Sequence, residues 1–191
     1  FDEVSTNVET WFGTRGISKQ TLSDLQVTEG SEWMPQTSKN ENTIQFNYFM
    51  GDQLINVKYR DGRKNFKLYK GAEKVFYNIN SVVGYDWCVV VEGEMDVLAL
   101  HEAGIKNAIS VPNGATLNTN NLDYLDNCID YLDDKTKIIL AVDADAAGQA
   151  LRTEFIRRLG AEVCYLVDFN GQKDANEYLI ENGAEALRNA I

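Results

Sequence analysis

A chain of 191 residues with 44% hydrophobic content can bury the core of one domain or two small ones, which excludes a disordered tail. Its net charge of −11 argues at first sight against a polyanionic partner. No run approaches the roughly 20 apolar residues of a membrane span and no secretory leader opens the chain, so neither a membrane protein nor a secreted one is expected.

In chain order, Ser5 or Thr6 reads as a helix cap before Val8, Trp11 and Phe12, and Ser18 as a cap before Leu22 and Leu25, with Gly13 and Gly16 separating two short helices. Residues 31–80 alternate apolar and polar positions, as in Ile44-Phe46-Tyr48 and Ile55-Val57-Tyr59, with Gly51-Asp52 as a hairpin signal between them. A small antiparallel sheet is expected there, with a boundary between subdomains near Ser81 to Tyr85. Beyond Trp87 the pattern changes to strands at Cys88–Glu92, Ala108–Val111, Lys137–Val142 and Glu162–Val167. Helices are expected between them near Met95–Ala103, Asn120–Leu132 and Ala146–Leu159. Short apolar strands joined by helical crossovers predict an α/β unit with a parallel sheet covered on both faces. The expected organisation is therefore a small α+β subdomain over residues 1–84 and an α/β domain over residues 85–191. The first residue is Phe1, which predicts a fragment of something longer.

The net charge conceals an asymmetry. Ten basic and ten acidic residues cancel over 1–84, whereas eight basic and nineteen acidic residues in 85–191 carry the whole −11. Between Lys58 and Lys74 seven cations, Lys58, Arg60, Arg63, Lys64, Lys67, Lys70 and Lys74, face only Asp61 and Glu73. Local field, rather than total charge, steers a polyanion. In Lys58-Tyr59-Arg60-Asp61-Gly62-Arg63-Lys64-Asn65-Phe66-Lys67 cations are interleaved with aromatics, which suits a single strand whose backbone needs charge and whose bases can stack; a plain exposed hairpin has the same look.

Two apolar runs end in acid. Val89-Val90-Val91 stops at Glu92-Gly93-Glu94-Met95-Asp96, and Ile138-Ile139-Leu140-Ala141-Val142 stops at Asp143-Ala144-Asp145. Both would emerge at one edge of a parallel sheet, where open α/β sheets bind ligands. Carboxylates crowded there repel one another, and a hard divalent cation with oxygen ligands relieves the repulsion. Asp143 and Asp145 are the candidate ligands of one or two Mg²⁺ (or Mn²⁺) ions, with Glu92 joining them or acting through water. Each motif alone is weak, since an Asp-x-Asp can simply cap the next helix. Glu94 and Asp96 are open to a second reading, because acids in a first helical turn are favoured by its dipole without any metal. Lys173 reads as a solvated lysine or a phosphate contact, and Asn113 as a turn former or part of a nucleotide pocket. His101 reads as a packing residue. No Cys/His cluster with zinc spacing is present; Cys88, Cys128 and Cys164 are dispersed, as free thiols in a reducing compartment would be.

The order Glu92-Gly93, then Asp143-Ala144-Asp145 with Gly148 following, then Lys173-Asp174-Ala175-Asn176, resembles the toprim domain shared by DnaG-type primases, topoisomerases and related nucleases. Together with Val111-Pro112-Asn113-Gly114-Ala115, the set looks most like the primase half of phage primase-helicases and Twinkle-like proteins. The resemblance covers residues 85–191 well and the first 84 loosely. It implies a DNA-dependent RNA polymerase core that makes primers on single-stranded DNA from ribonucleoside triphosphates. It implies Glu92 as general base, Asp174 near a second ion, Asp96 as a matching acidic position, and Lys173 at a nucleotide phosphate. The basic subdomain would hold template and incoming triphosphate, with Lys58, Arg60, Lys64 and Lys67 as candidates. It also implies a bacterial or phage-infected cytoplasm and a helicase elsewhere in the full-length chain, since these residues contain no phosphate loop and no zinc ribbon. A toprim nuclease and a degenerate primase kept for binding single strands are the alternatives.

Overall fold

The computed structural model describes residues 3–113, 122–169 and 171–191. Helix α1 (Thr6–Thr14) begins where the Ser5 hydroxyl accepts the Val8 amide, and α2 (Lys19–Asp24) where Ser18 accepts that of Thr21. Each cap satisfies an amide that the first turn leaves unpaired. Strands β1 (Thr28–Met34), β2 (Lys39–Met50), β3 (Gln53–Asp61) and β4 (Phe66–Leu68) follow as an antiparallel meander in that order. The β2–β3 turn is Gly51-Asp52, with Gly51 at φ 60°, a conformation that favours glycine. Asn80 pins that turn by donating to the Gly51 carbonyl and accepting its N–H.

Register explains which way the basic residues point. Lys58 stands opposite Phe46 and Ile44 opposite Arg60, so Lys58 and Arg60 share the face that Phe46 and Tyr48 bury against the second half of the molecule. Val57 and Tyr59, on the other face, form a small separate cluster with Met34.

The expected alternation does not continue to residue 80. The meander ends at Leu68, and Val75, Phe76 and Tyr77 are buried one after another. A segment packed between two halves has no solvent face, so it cannot alternate. Tyr77 exchanges two backbone hydrogen bonds with Ser110 and bridges the halves. The 3₁₀ turn Ile79–Val82 that follows is anchored by its buried ends.

From residue 87 the chain builds β5 (Trp87–Val91), α3 (Glu94–Glu102), β6 (Ala108–Ser110), α4 (Asp123–Asn127), α5 (Ile129–Leu132), β7 (Lys137–Leu140), α6 (Ala146–Leu159), β8 (Cys164–Leu166), α7 (Ala175–Asn182) and α8 (Ala184–Ala190). The four strands are parallel in the order β6-β5-β7-β8. Burial sets the β8 edge of this sheet apart from the other three strands. Strands β5 and β7 bury Cys88 to Val91 and Ile138 to Leu140 on both faces, whereas edge strand β8 exposes Tyr165 and Leu166 and is shorter than its sequence run.

The single helix expected at 120–132 is two, α4 and α5, broken at Cys128 (φ −114°, ψ 10°). Its first two residues, with Gly114 and Ala115, lie outside the described residues. Helices α7 and α8 add a layer that the sequence pattern did not separate, divided at Gly183 with φ 87°. One hydrophobic cluster runs from Phe12 to Leu187 and includes residues of both sheets, so the acidic strand ends and the basic meander are held against each other by shared core. Among the described residues, no helix is long and apolar enough to cross a membrane.

Candidate metal centre and nucleotide cleft

Strand β5 delivers Glu92 at its carboxyl end, and α3 starts two residues later, placing Asp96 in the helix's first turn, 6% exposed. Strand β7 runs out through Ala141 and Val142 to Asp143. Asp174 arrives from the far side as the N-cap of α7, accepting the Glu177 amide at 2.9 Å. One carboxylate oxygen each from Asp96, Asp143 and Asp174 lies within 4.8 Å of the others. Glu92 is woven into the same edge by accepting the Asp143 N–H. Gly148, in the first turn of α6, makes this closeness possible: a Cβ there would stand 2.1 Å from the Asp143 carbonyl oxygen and 3.0 Å from Glu92 Oε2. Gly93 has no comparable role, because its φ of −146° is open to any residue.

The crowding has an electrostatic signature. Burial first, then the Glu92 and Asp174 carboxylates, push Asp143 up to about 7, with Lys173 opposing. Burial and then Asp174 hold Asp96 well above the usual carboxylate range, against the Asn176 N–H that donates to it at 3.0 Å. These acids thus resist ionising together in the absence of a cation. An all-oxygen set of this kind fits a hard divalent ion such as Mg²⁺ or Mn²⁺ and suits a soft or nitrogen-seeking metal poorly.

Asp145 lies apart. It is exposed, caps α6 by accepting the Gly148 amide at 2.8 Å, and is not among the three converging carboxylates.

The acidic edge opens into a cleft of about 580 Å³ whose other wall is the meander, with Lys58, Arg60, Lys64 and Lys67 lining it together with Asn113 and Lys173. The four meander cations are held differently. Lys58 donates to both Glu94 oxygens at 3.1 Å and to the Pro112 carbonyl at 2.8 Å. Arg60 is 9% exposed, with its guanidinium 4.7 Å from the Trp11 ring centre and 5.5 Å from that of Phe66. Burial, then Arg15, lower its pKa. Lys67 pairs with Glu32 at 2.7 Å. Lys64 is exposed, at φ 63° in the turn after β3.

Sequence reasoning missed Arg15, which lines the cleft and shares the Trp11 ring with Arg60 at 5.1 Å; nothing in its spacing signals this. It also missed Tyr48, whose hydroxyl donates to buried Glu94. Asn176, quoted only within a motif, ties the site together by donating to the Arg15 carbonyl as well as to Asp96.

A glutamate at the end of one parallel strand, an Asp-x-Asp at the end of its neighbour and an aspartate closing from a third element define a toprim domain, and residues 89–179 match the Toprim-like family. The chain is, more particularly, similar to primase homologues. Over its whole length it is 35% identical to the Primase homolog protein and 33% identical to the Twinkle homolog protein, chloroplastic/mitochondrial, both of Arabidopsis thaliana. It spans 60% of the first and 28% of the second. Its structure matches the crystal structure of the primase fragment of the bacteriophage T7 primase-helicase protein with a TM-score of 0.73 at 25% identity, over 92% of this chain and 69% of that one.

Proposed function

We propose that this chain is the RNA-polymerising core of a DNA primase, which joins ribonucleoside triphosphates on a single-stranded DNA template. The observation that carries the reading is the cleft itself, with converging Asp96, Asp143 and Asp174 on one wall and a basic, aromatic meander on the other. Nucleotidyl transfer needs both walls, one for the reacting phosphate and one for the polyanionic strand.

Glu92, Asp96, Asp143 and Asp174 would hold one or two Mg²⁺ or Mn²⁺ ions. A bound ion of this kind supplies neutralisation of charge building on the transferred phosphate. Asp145, two residues from Asp143, caps α6 with one oxygen, and its charge acts on Asp143 through space. Glu92, nearest the Asp143 backbone, is the candidate general base for the attacking 3′-hydroxyl. Lys173 and Asn113, at the cleft's rim, suit contacts with the triphosphate and the base. Arg60, Lys64 and Lys67 suit the template phosphates, and Phe66, partly exposed beside them, offers a face on which a base can stack.

The division of labour falls near residue 84, with residues 1–84 holding strand and residues 85–191 holding metal. The phage protein whose fragment this chain resembles is a primase-helicase, and a helicase partner is proposed here on that likeness. For location, a reducing compartment suits the three free thiols, and the cytoplasm of a bacterium or phage-infected cell is the proposal.

The test incubates the protein with single-stranded DNA, labelled ribonucleotides and Mg²⁺ or Mn²⁺. Short oligoribonucleotides without template cleavage are expected. Cleavage without synthesis would make it a toprim nuclease, and binding with neither would make it a degenerate primase.

A further inference from the structure

Lys58 differs from its neighbours on the basic meander in having no donor left over. An ammonium has three N–H groups, and here they meet Glu94 Oε1, Glu94 Oε2 and the Pro112 carbonyl oxygen. Glu94 is 4% exposed, and a carboxylate so buried requires a cation and hydrogen bonds around it. It receives them from Lys58, from the Tyr48 hydroxyl and from its place in the first turn of α3, where the helix dipole favours negative charge. Tyr48 comes from β2 and Lys58 from β3, whereas Glu94 opens α3 and Pro112 follows β6. The group therefore spans the two sheets. It fixes two things that border the reacting centre: the turn between Glu92 and Asp96, and the backbone that presents Asn113.

We propose that Tyr48, Lys58 and Glu94 form a clamp between the basic meander and the acidic edge, and that Lys58 is a positioning residue rather than a ligand for nucleic-acid phosphate. Its charge is matched by Glu94, so neutralising both together removes no net cation from the cleft. What is lost is the alignment of one wall against the other. The proposal rests on the primase reading for its catalytic arm, while its binding arm does not require catalysis.

The experiment compares the wild type with Tyr48→Phe, with the paired Lys58→Met/Glu94→Gln, and with Lys64→Ala. The paired substitution avoids stranding a buried charge, and Tyr48→Phe removes one hydroxyl while keeping the ring against Tyr77. Binding of oligo(dT) is measured across a salt series, and kcat and KM for ribonucleotides are measured on a single-stranded template.

The paired variant should keep the wild-type salt slope, whereas Lys64→Ala lowers it by about 0.7, the loss of one single-strand phosphate contact. Both clamp variants should lose kcat, about tenfold for the pair and a few-fold for Tyr48→Phe, with KM within about twofold. A salt slope in the pair reduced as much as in Lys64→Ala would overturn the proposal, because Lys58 would then be a phosphate ligand. Unchanged kcat in both clamp variants would also overturn it, leaving only a packing contact. If the wild type bound oligo(dT) but made no primer, the primase reading would fail, and the slopes would still decide what Lys58 does.

Discussion

Asp96 and Arg60 face the same cleft and are comparably buried, yet their surroundings are opposite in kind. Around Asp96 the nearest charges are alike: Asp174, Asp143 and Glu92 all act to raise its pKa, and a backbone amide is the chief opposing influence. On the meander three of the four cleft cations have their own accommodation, with Glu94 for Lys58, Glu32 for Lys67, and the rings of Trp11 and Phe66 for Arg60, whereas Lys64 is exposed. An edge that concentrates unrelieved like charge is built to receive a counter-ion. A wall on which most charges are individually settled is built to keep its shape. Counting charges along the sequence makes the two walls look like mirror images, and the structure shows that they are not.

The largest effect that would break this comparison is at Asp143. Asp143→Asn should abolish primer synthesis, by on the order of a hundredfold or more, since it replaces one carboxylate oxygen of the converging set by an amide nitrogen and removes the charge. The same change should stabilise the protein without metal. Because the folded-state pKa of Asp143 is about 7, above its unfolded value, the folded form keeps the proton longer, and stability falls as pH rises from about 4 to about 7. Thermal unfolding near pH 8 without divalent ions should show a gain on the order of 3 °C, the shift expected for about 1 kcal/mol in a chain of this size. Added Mg²⁺ should stabilise the wild type most above pH 7 and the variant least. A variant less stable than wild type under those conditions would mean that the acidic edge is not repulsive.

Next in size is Gly148→Ala. Its new Cβ meets the Asp143 carbonyl oxygen, so backbone must shift at the site, at a cost of about 1–3 kcal/mol in unfolding free energy. Synthesis should fall with it. Full stability would show that α6 can move away from β7 freely.

Asp145→Ser sharpens the comparison further by separating two roles at one position. Serine caps a helix nearly as well as aspartate, so stability should hold within about 0.5 kcal/mol, whereas Asp145→Ala should lose about 1 kcal/mol. Synthesis should fall in both, though less than in Asp143→Asn, because Asp145 is exposed and outside the converging three. Equal loss of activity in Asp145→Ser and Asp143→Asn would move Asp145 into the centre of the site.

The smallest effect separates the lysines. Lys64→Ala should lower the salt slope of single-strand binding by about 0.7. Lys67→Ala should lower it less, because Lys67 is already paired with Glu32 and has less charge to offer a phosphate. Equal slopes would mean that the Lys67–Glu32 pair opens when a strand binds.

These contrasts explain what the sequence could tell. Glu92 and Asp143 were legible because a β-branched run must end where the sheet ends, so a carboxylate directly after it is placed by period alone. Asp174 was legible only through the toprim resemblance, since its approach depends on how α7 packs against α3. Asp145 looked equivalent to Asp143 in sequence, and what divides them is local: the first completes a helix cap, the second meets Glu92. The parallel sheet and α6 followed from hydrophobic periodicity. The segment Val75-Phe76-Tyr77 did not, because burial on both sides by two different halves leaves no alternation to read. Charge compensation was the least visible of all, since Lys58 meets Glu94 and Lys67 meets Glu32 across 36 and 35 residues.

The most direct measurement is Mn²⁺ binding followed by water-proton relaxation, at about pH 8, in the wild type and in Asp143→Asn. The account predicts ion binding by the wild type that Mg²⁺ displaces, and a loss of at least tenfold in affinity in the variant while its fold is retained. Equal Mn²⁺ affinity in the two folded proteins would contradict it, because the acidic edge would then not be where the metal sits.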